Sequence, residues 1–489
     1  MFNEISRLIA RQFWSSTFRS GIVYPILGLW FLMVAYAAYS GWESYTTHNH
    51  IRSHYQQETR ASWENNPDKH PHRMAHYGSF AFRLKHPLSM FDFGLESFTG
   101  NAVFLEAHKQ NSVNFSEASF STGLLRFGEI SLAMLLQVIL PLIIFFLGFS
   151  AVAAEREQET LRMILSQGIS WKEVLVGKSL GLAALALLFF LPVILVTLVL
   201  LLFSEGGVLT TTDGWLRFIG IFISYALFLV ITSVVTVLIS AASKSSKGAL
   251  VKLLAVWLFL IVLLPRTTQA LGGYVYPAPS RVEFEADTEE ELIQIGDSHN
   301  PDDPHFNALR DSVLSVYQVS SVEQLPFNYS GFVMREGERI SAEIYNRHIQ
   351  SLHRTYQQQN RFTQLTALIN PYLAIKTVSM ALSGTDFTAY RDFQQQAEAY
   401  RYQLAQTMNE LQMELISNRA PAPGEGPYAI SRAYWSEFPD FEYEWPALRW
   451  PAPSGIATRG GSWSWIVLFI WGMTSVGMLT YTAKRVKVF

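Results

Sequence analysis

Six apolar runs, each long enough to cross a bilayer, leave this chain few folds to choose from. They cover residues 21–40, 128–154, 174–203, 215–241, 249–271 and 463–483. A helix of about 20 apolar residues spans the hydrocarbon core. Within lipid a helix satisfies its own backbone hydrogen bonds, so a mainly α, six-span membrane protein is expected. Several runs exceed the minimum, which predicts tilt or protruding ends. Hydrophobic residues make up 49% of the 489 and charged residues only 16%, and that average hides two polar regions, 41–127 and 272–462.

Short loops set the orientation, because Lys and Arg favour the cytoplasmic side. Basic residues gather before the first run (Arg7, Arg11, Arg19), after the second (Arg156, Arg162, Lys172, Lys178), after the fourth (Lys244, Lys247, Lys252) and in the tail (Lys484, Arg485, Lys487). The opposite loop, 204–214, holds Glu205 and Asp213 and no base. Residues 1–20, 155–173, 242–248 and 484–489 are therefore expected in the cytoplasm, with 41–127 and 272–462 outside. The first run also has signal-peptide features: a basic start, an apolar core and Ala35-Tyr36-Ala37. Its long core favours a retained span. So do residues 2–18, where Phe2, Ile5, Ile9, Phe13 and Trp14 oppose Arg7 and Arg11 as in an interfacial helix.

The larger polar region reads as helical. Ile340, Ile344, Leu352, Tyr356 and Leu365 recur at helical spacing, as do Phe387, Tyr390, Ala397, Leu404, Met408 and Leu411. The two helices are expected to pair as an antiparallel hairpin. Between them Asn370-Pro371 reads as an N-cap with Pro at the first helical position, opening a short apolar helix that ends near Gly384. Residues 419–462, rich in Pro, Gly, Trp and Tyr, read as an irregular return, with Trp445, Trp450, Trp463 and Trp465 nearing the interface.

Region 41–127 and its end hold eight of the twelve histidines: His48, His50, His54, His70, His72, His76, His86 and His108. The trios His48/His50/His54 and His70/His72/His76 could converge on a metal. Without cysteine or a dense carboxylate set, the reading is a solvated polar segment and no metal is expected.

Other chemistry is thin. Gly177-Lys178-Ser179 resembles the end of a phosphate loop, but Lys172 stands where that loop needs its first Gly. The chain has no nucleotide site of its own and is not expected to be an enzyme. Charges inside the runs are scarce, with Lys252 one turn inside the fifth and Arg266 near its outer end, and none is held at mid-bilayer, which argues against an ion-coupled pump. Pro141, Pro192 and Pro265 are candidate kinks. Glu283, Glu285, Asp287, Glu289, Glu290 and Glu291 form a run rather than a catalytic pair, and no basic cluster points to nucleic acid.

What stands out is Glu155-Arg156-Glu157-Gln158-Glu159-Thr160-Leu161, a stiff charged connector between the second and third runs. With Leu165-Ser166, Ile169-Ser170 and Gly177-Lys178 it resembles the coupling helix of ABC-2 type transporter permeases. Glu159 takes the family's Gly position and Gly168 a common Pro position. Asn370-Pro371-Tyr372-Leu373-Ala374-Ile375, residues 379–386 and Ala397-Glu398-Ala399-Tyr400-Arg401 are similar to the DUF3526-type subfamily, which carries a large extracytoplasmic insertion before its last span.

The resemblance implies a six-helix permease of the type V exporter kind in a bacterial inner membrane, both termini cytoplasmic and the large domain periplasmic. It implies a dimer with itself or a sister permease and a separate cytoplasmic ATPase dimer that binds ATP and Mg. A periplasmic partner is a further expectation. Glu155, Arg156, Glu157, Glu159, Thr160, Trp171 and Lys172 would form the ATPase contact. The complex would export or extract an amphipathic or hydrophobic substrate, or pass ATP-driven motion to an outer protein without net transport.

Overall fold

The computed structural model describes residues 4–67, 70–113, 129–205, 207–418, 438–447 and 460–485. Among the described residues the protein is 77% helical. Among the described residues six helices are long and apolar enough to cross a membrane: Val23–Glu64, Leu132–Glu157, Trp171–Phe203, Thr212–Ala241, Ser246–Val275 and Ser462–Lys484. Phe2, Trp450, Lys487 and most of the expected return segment lie outside the described residues.

The first span is longer than its apolar run. Its 42 residues extend about 63 Å, twice the roughly 30 Å of a hydrocarbon core. The helix continues past residue 40 because its polar half has partners. Tyr45 donates from its hydroxyl to the Glu205 carbonyl at 3.1 Å, Arg52 to that of Arg83 at 2.8 Å, and the Trp63 indole to that of Met74 at 3.1 Å.

The third span is the centre of the helical body. The indole of Trp30 donates to its Phe189 carbonyl at 2.8 Å. The N-terminal helix Glu4–Arg19 lies along its start, with Ile9 and Phe13 buried. Gly177 and Gly181 make the seat. A Cβ on Gly177 would stand 2.7 Å from Ile9 Cβ, and one on Gly181 2.9 Å from the Phe13 ring. Small residues four apart let two helices approach this closely. The helix predicted as interfacial thus packs on a span by one face and exposes Arg7 and Arg11 on the other.

The second and fifth spans each contain a π-helical stretch, Leu135–Ile139 and Leu258–Leu263, just before Pro141 and Pro265. Proline lacks an N–H, and its ring crowds the carbonyl four residues back, so a widened turn relieves both. Pro192 sits in an unbroken helix.

The polar domain has two layers. Strands β1 (Ser79–Phe82), β2 (Ala102–Glu106) and β3 (Lys109–Gln110) form an antiparallel sheet in that order, with Phe80 opposite Phe104 and Leu105 opposite Gln110. Sequence patterning does not reveal these short strands. Their inner face, Ala81, Val103 and Leu105, packs on Phe393 and Ala397 of the second layer. That layer is the helical hairpin of Tyr329–Thr366 and Phe387–Leu415. Its antiparallel register is fixed by Asn328 N donating to the Met413 carbonyl at 2.8 Å and Gln406 Nε2 to that of Arg335 at 3.1 Å. Buried Arg401 links the two helices, reaching Glu338 at 2.7 Å and forking onto Glu398 at 2.7 Å through two nitrogens.

A short junction helix, Pro371–Ser383, connects the hairpin helices and packs into the spans. Asn370 opens it by accepting from Tyr372 N and anchors it by donating to the Leu260 carbonyl at 2.7 Å. Gly384, at φ 70°, ends it in the left-handed region that favours glycine. From the sixth span, Trp463 and Trp471 donate to the carbonyls of Gln364 and Ala367, both at 3.2 Å.

Candidate functional site: the elbow and the junction

The charged connector folds as two short helices, Ala153–Glu157 and Thr160–Ser166, joined at Gln158 and Glu159. Glu159 has φ 59°. This is the position where a glycine would be unstrained, and a side chain costs about 1–2 kcal/mol there. Gly168, at φ 84°, ends the second helix. Ser170 and Glu173 then start the third span with a capping box, Ser170 N donating to Glu173 Oε2 at 2.7 Å.

Other spans supply what the elbow lacks. The amides of Val152 and Ala153, orphaned at a helix start, both donate to Ser240 Oγ at 3.1 Å, and that hydroxyl donates to the Phe149 carbonyl. Arg156 donates to the carbonyls of Ala241 and Ser243, each at 2.6 Å, placing its charge on the C-terminal end of the fourth span. Glu157 accepts from Ser246 at the start of the fifth span at 2.6 Å. Glu155 pairs with Lys178, whose ammonium lies 5.5 Å from the centre of the Phe13 ring. Thr160 donates to the Glu155 carbonyl at 3.1 Å.

The seven candidate residues thus divide by direction. Glu155 and Arg156 point inward and fix the elbow to its neighbours. Thr160 closes the elbow's own turn. Glu157, Glu159 and Lys172 are exposed, with Gln158, Arg162, Ser166 and Gln167 beside them. Met163 adds an apolar spot, 58% exposed. Trp171 is not on this face; it is buried and its indole nitrogen has no hydrogen-bond partner.

From Tyr225, midway along the fourth span, a buried chain of donors joins spans to polar domain. Gln137 donates to the Tyr225 hydroxyl at 2.6 Å, Tyr225 to Ser379 Oγ at 2.8 Å, and Ser379 to Asp92. Asp92 also accepts from Gly94 N at 3.0 Å. Arg217 completes the joint, donating to the carbonyls of Leu382 and Pro446 at 3.2 and 2.8 Å and pairing with Asp213 at 2.5 Å. From Arg217 to Ala241 the rod is roughly 35 Å long at helical rise. Sequence reasoning missed Ser240, Ser246 and this chain. A lone Gln and Tyr within apolar runs were the available signal.

Beside these spans lies an apolar cavity of about 500 Å³, lined by Phe145, Ile231, Val256, Leu260, Tyr372 and Trp471 among others. It involves the second, fourth, fifth and sixth spans and the junction helix.

No curated protein matches the chain. A family model described as "Domain of unknown function (DUF3526)" matches residues 281–444, which include the whole hairpin and the junction helix.

Proposed function

We propose that this chain is the permease subunit of an ABC transporter. A separate ATPase dimer with ATP and Mg grips the elbow, and a second permease copy, identical or sister, completes the complex. The observation that carries this reading is the elbow's two-sided construction. Glu155 and Arg156 tie it to the third and fourth spans, and exposed Glu157 ties it to the fifth. Its outward residues form a small, charged, rigid surface. A surface built this way passes an applied push directly into three helices. The charge bias of the short loops supports a cytoplasmic elbow and a periplasmic polar domain in an inner-membrane protein.

The cargo is amphipathic or hydrophobic. The cavity's apolar walls support this, and they open beside a fifth span only 11% buried against 61% for the second and fourth. So bare a face suits lipid or the second permease. A transmission role without net transport is the second reading, favoured by the buried donor chain from Gln137 to Asp92.

The test is purification in mild detergent with its ATPase, then Glu157→Lys with Glu159→Lys. The expected result is a folded permease that no longer retains the ATPase. Retention at the wild-type level would remove the elbow from the interface. Reconstitution in vesicles separates the readings: ATP-dependent movement of lipid-like cargo supports export, and turnover without flux supports transmission.

A further inference from the structure

The polar domain brings together four histidines that lie far apart in sequence. His72 and His76 come from the short helix Pro71–Ala75 and its C-cap, His108 from the turn between β2 and β3, and His299 from the loop after the helix Arg281–Ile295. Their ligand atoms all lie within 4.8 Å of one another. We propose that these four imidazoles form a site for a divalent transition-metal ion, with Zn²⁺ as its natural occupant. The site clasps region 70–113 to the loop that begins at Gly296.

The rings are prepared as ligands. A metal-bound histidine usually donates its other N–H to an oxygen, which fixes the tautomer. His72 Nδ1 lies 2.8 Å from Asn409 Oδ1, and the Asn409 amide nitrogen donates to Gln406, so the oxygen faces the ring. His72 therefore carries its proton on Nδ1 and turns a bare Nε2 toward the cluster. His108 Nδ1 lies 3.4 Å from Glu338, and its Nε2 is sealed from solvent without a partner. His299 Nδ1 lies 3.4 Å from Asp297. The Nε2 atoms of His72 and His76 are 3.0 Å apart, close to the spacing of two ligands on one ion.

The surroundings favour a cation. Glu338 is completely buried and held by Arg401, and Glu398 offsets that arginine, leaving one net negative charge behind His108.

Shape selects the ion. The six ring separations run only from 4.7 to 5.8 Å. A square-planar set would need diagonals about 1.4 times its sides, so this spread fits the tetrahedron Zn²⁺ prefers over the tetragonal sites of Cu²⁺. Backbone strain points the same way. His108 holds φ 62°, a region few non-glycine residues adopt, and does so in the two-residue turn that aims it inward. His299 is seated by its neighbour Ser298, which packs directly on Gly337 of the hairpin.

The experiment uses the full chain in detergent, stripped with a chelator and titrated with Zn²⁺ by calorimetry and with Co²⁺ by visible absorption. One equivalent should bind, Co²⁺ should give tetrahedral bands, and Zn²⁺ should raise the thermal midpoint. His299→Ala changes only an exposed loop side chain and should weaken Zn²⁺ at least tenfold. His108→Asn keeps a residue that tolerates the left-handed turn and should do the same, with helical content unchanged by circular dichroism. Asn409→Ala should cost roughly 10–100-fold. Absence of stoichiometric Zn²⁺ uptake by the wild type would overturn the site, as would wild-type affinity in both histidine variants.

Discussion

The fourth span takes part in two polar joints of opposite character. At the elbow, Arg156 and Glu157 reach the neighbouring spans from a surface that stays partly or fully exposed. At the junction, Gln137, Tyr225, Ser379, Asp92 and His86 are buried. Bonds of the first kind compete with water and can be rearranged when a partner arrives. Bonds of the second kind have no alternative partner, so breaking one leaves a buried polar group unpaired, which costs about 1–3 kcal/mol. The contrast says which end is built to be handled and which to stay joined.

Arg217→Met tests the joined end most severely. The variant removes the bonds of Arg217 to the carbonyls of Leu382 and Pro446 and its pairing with Asp213. Loss of about 3 kcal/mol is expected, toward the low end for a buried pair because Asp213 is partly hydrated. Thermal unfolding in detergent should drop sharply while the ATPase contact proposed for the elbow survives in the remaining folded protein. If the midpoint barely moved, the junction would not be the firm joint described here.

Acid should attack the same joint. His86 Nδ1 accepts from Leu88 N at 3.1 Å. Burial, and secondarily the charge of Arg217, lowers its pKa to about 3, against a weaker opposing pull from Asp213. The unfolded imidazole takes up a proton below about pH 6.5. Stability from neutral His86 is therefore full above that pH and lost as pH falls toward 3, by a few kcal/mol in order of magnitude. The thermal midpoint measured against pH should show this slope, and His86→Asn should flatten it. An unchanged slope in the variant would assign the acid sensitivity elsewhere.

Tyr225→Phe is milder. It removes the hydroxyl that accepts from Gln137 Nε2 and donates to Ser379 Oγ, while Ser379 keeps its bond to Asp92, for about 1 kcal/mol. If the donor chain carries motion, ATPase stimulation by cargo or outer partner should weaken more than stability does. Equal loss in both would reduce the chain to a structural role.

These joints also show what a sequence makes legible. The six spans are readable because lipid demands long apolar runs, and the hairpin because its core residues repeat at helical spacing. The elbow's place is readable too, since charge between two runs must leave the membrane. Its inward partners are not: Ser240 and Ser246 lie more than eighty residues away, and nothing local marks them. Trp171 looks like a surface aromatic at a helix start until the third span is packed. The first span outruns its apolar run because Arg52 and Trp63 find carbonyls only the polar domain supplies. The histidines fail for the same reason in stronger form. Local trios suggested His70/His72/His76, whereas the actual set needs a β-turn and a loop from 190 residues further on.

Glu159→Gly sharpens the comparison from the exposed side. Its φ of 59° strains any L side chain, and a glycine there removes that strain. Some of the gain is returned because glycine loosens the unfolded chain, so a net stabilisation of about 1 kcal/mol or less is expected. The elbow should then be firmer and yet poorer at its task. Glu159 contributes charge to the exposed face and makes none of the bonds that fix the elbow to the spans. A stabilised protein with a weaker hold on its ATPase would show that the glutamate is kept for contact against a structural cost. A stabilised protein with an unaltered hold would move the contact onto Glu157, Arg162 and Met163.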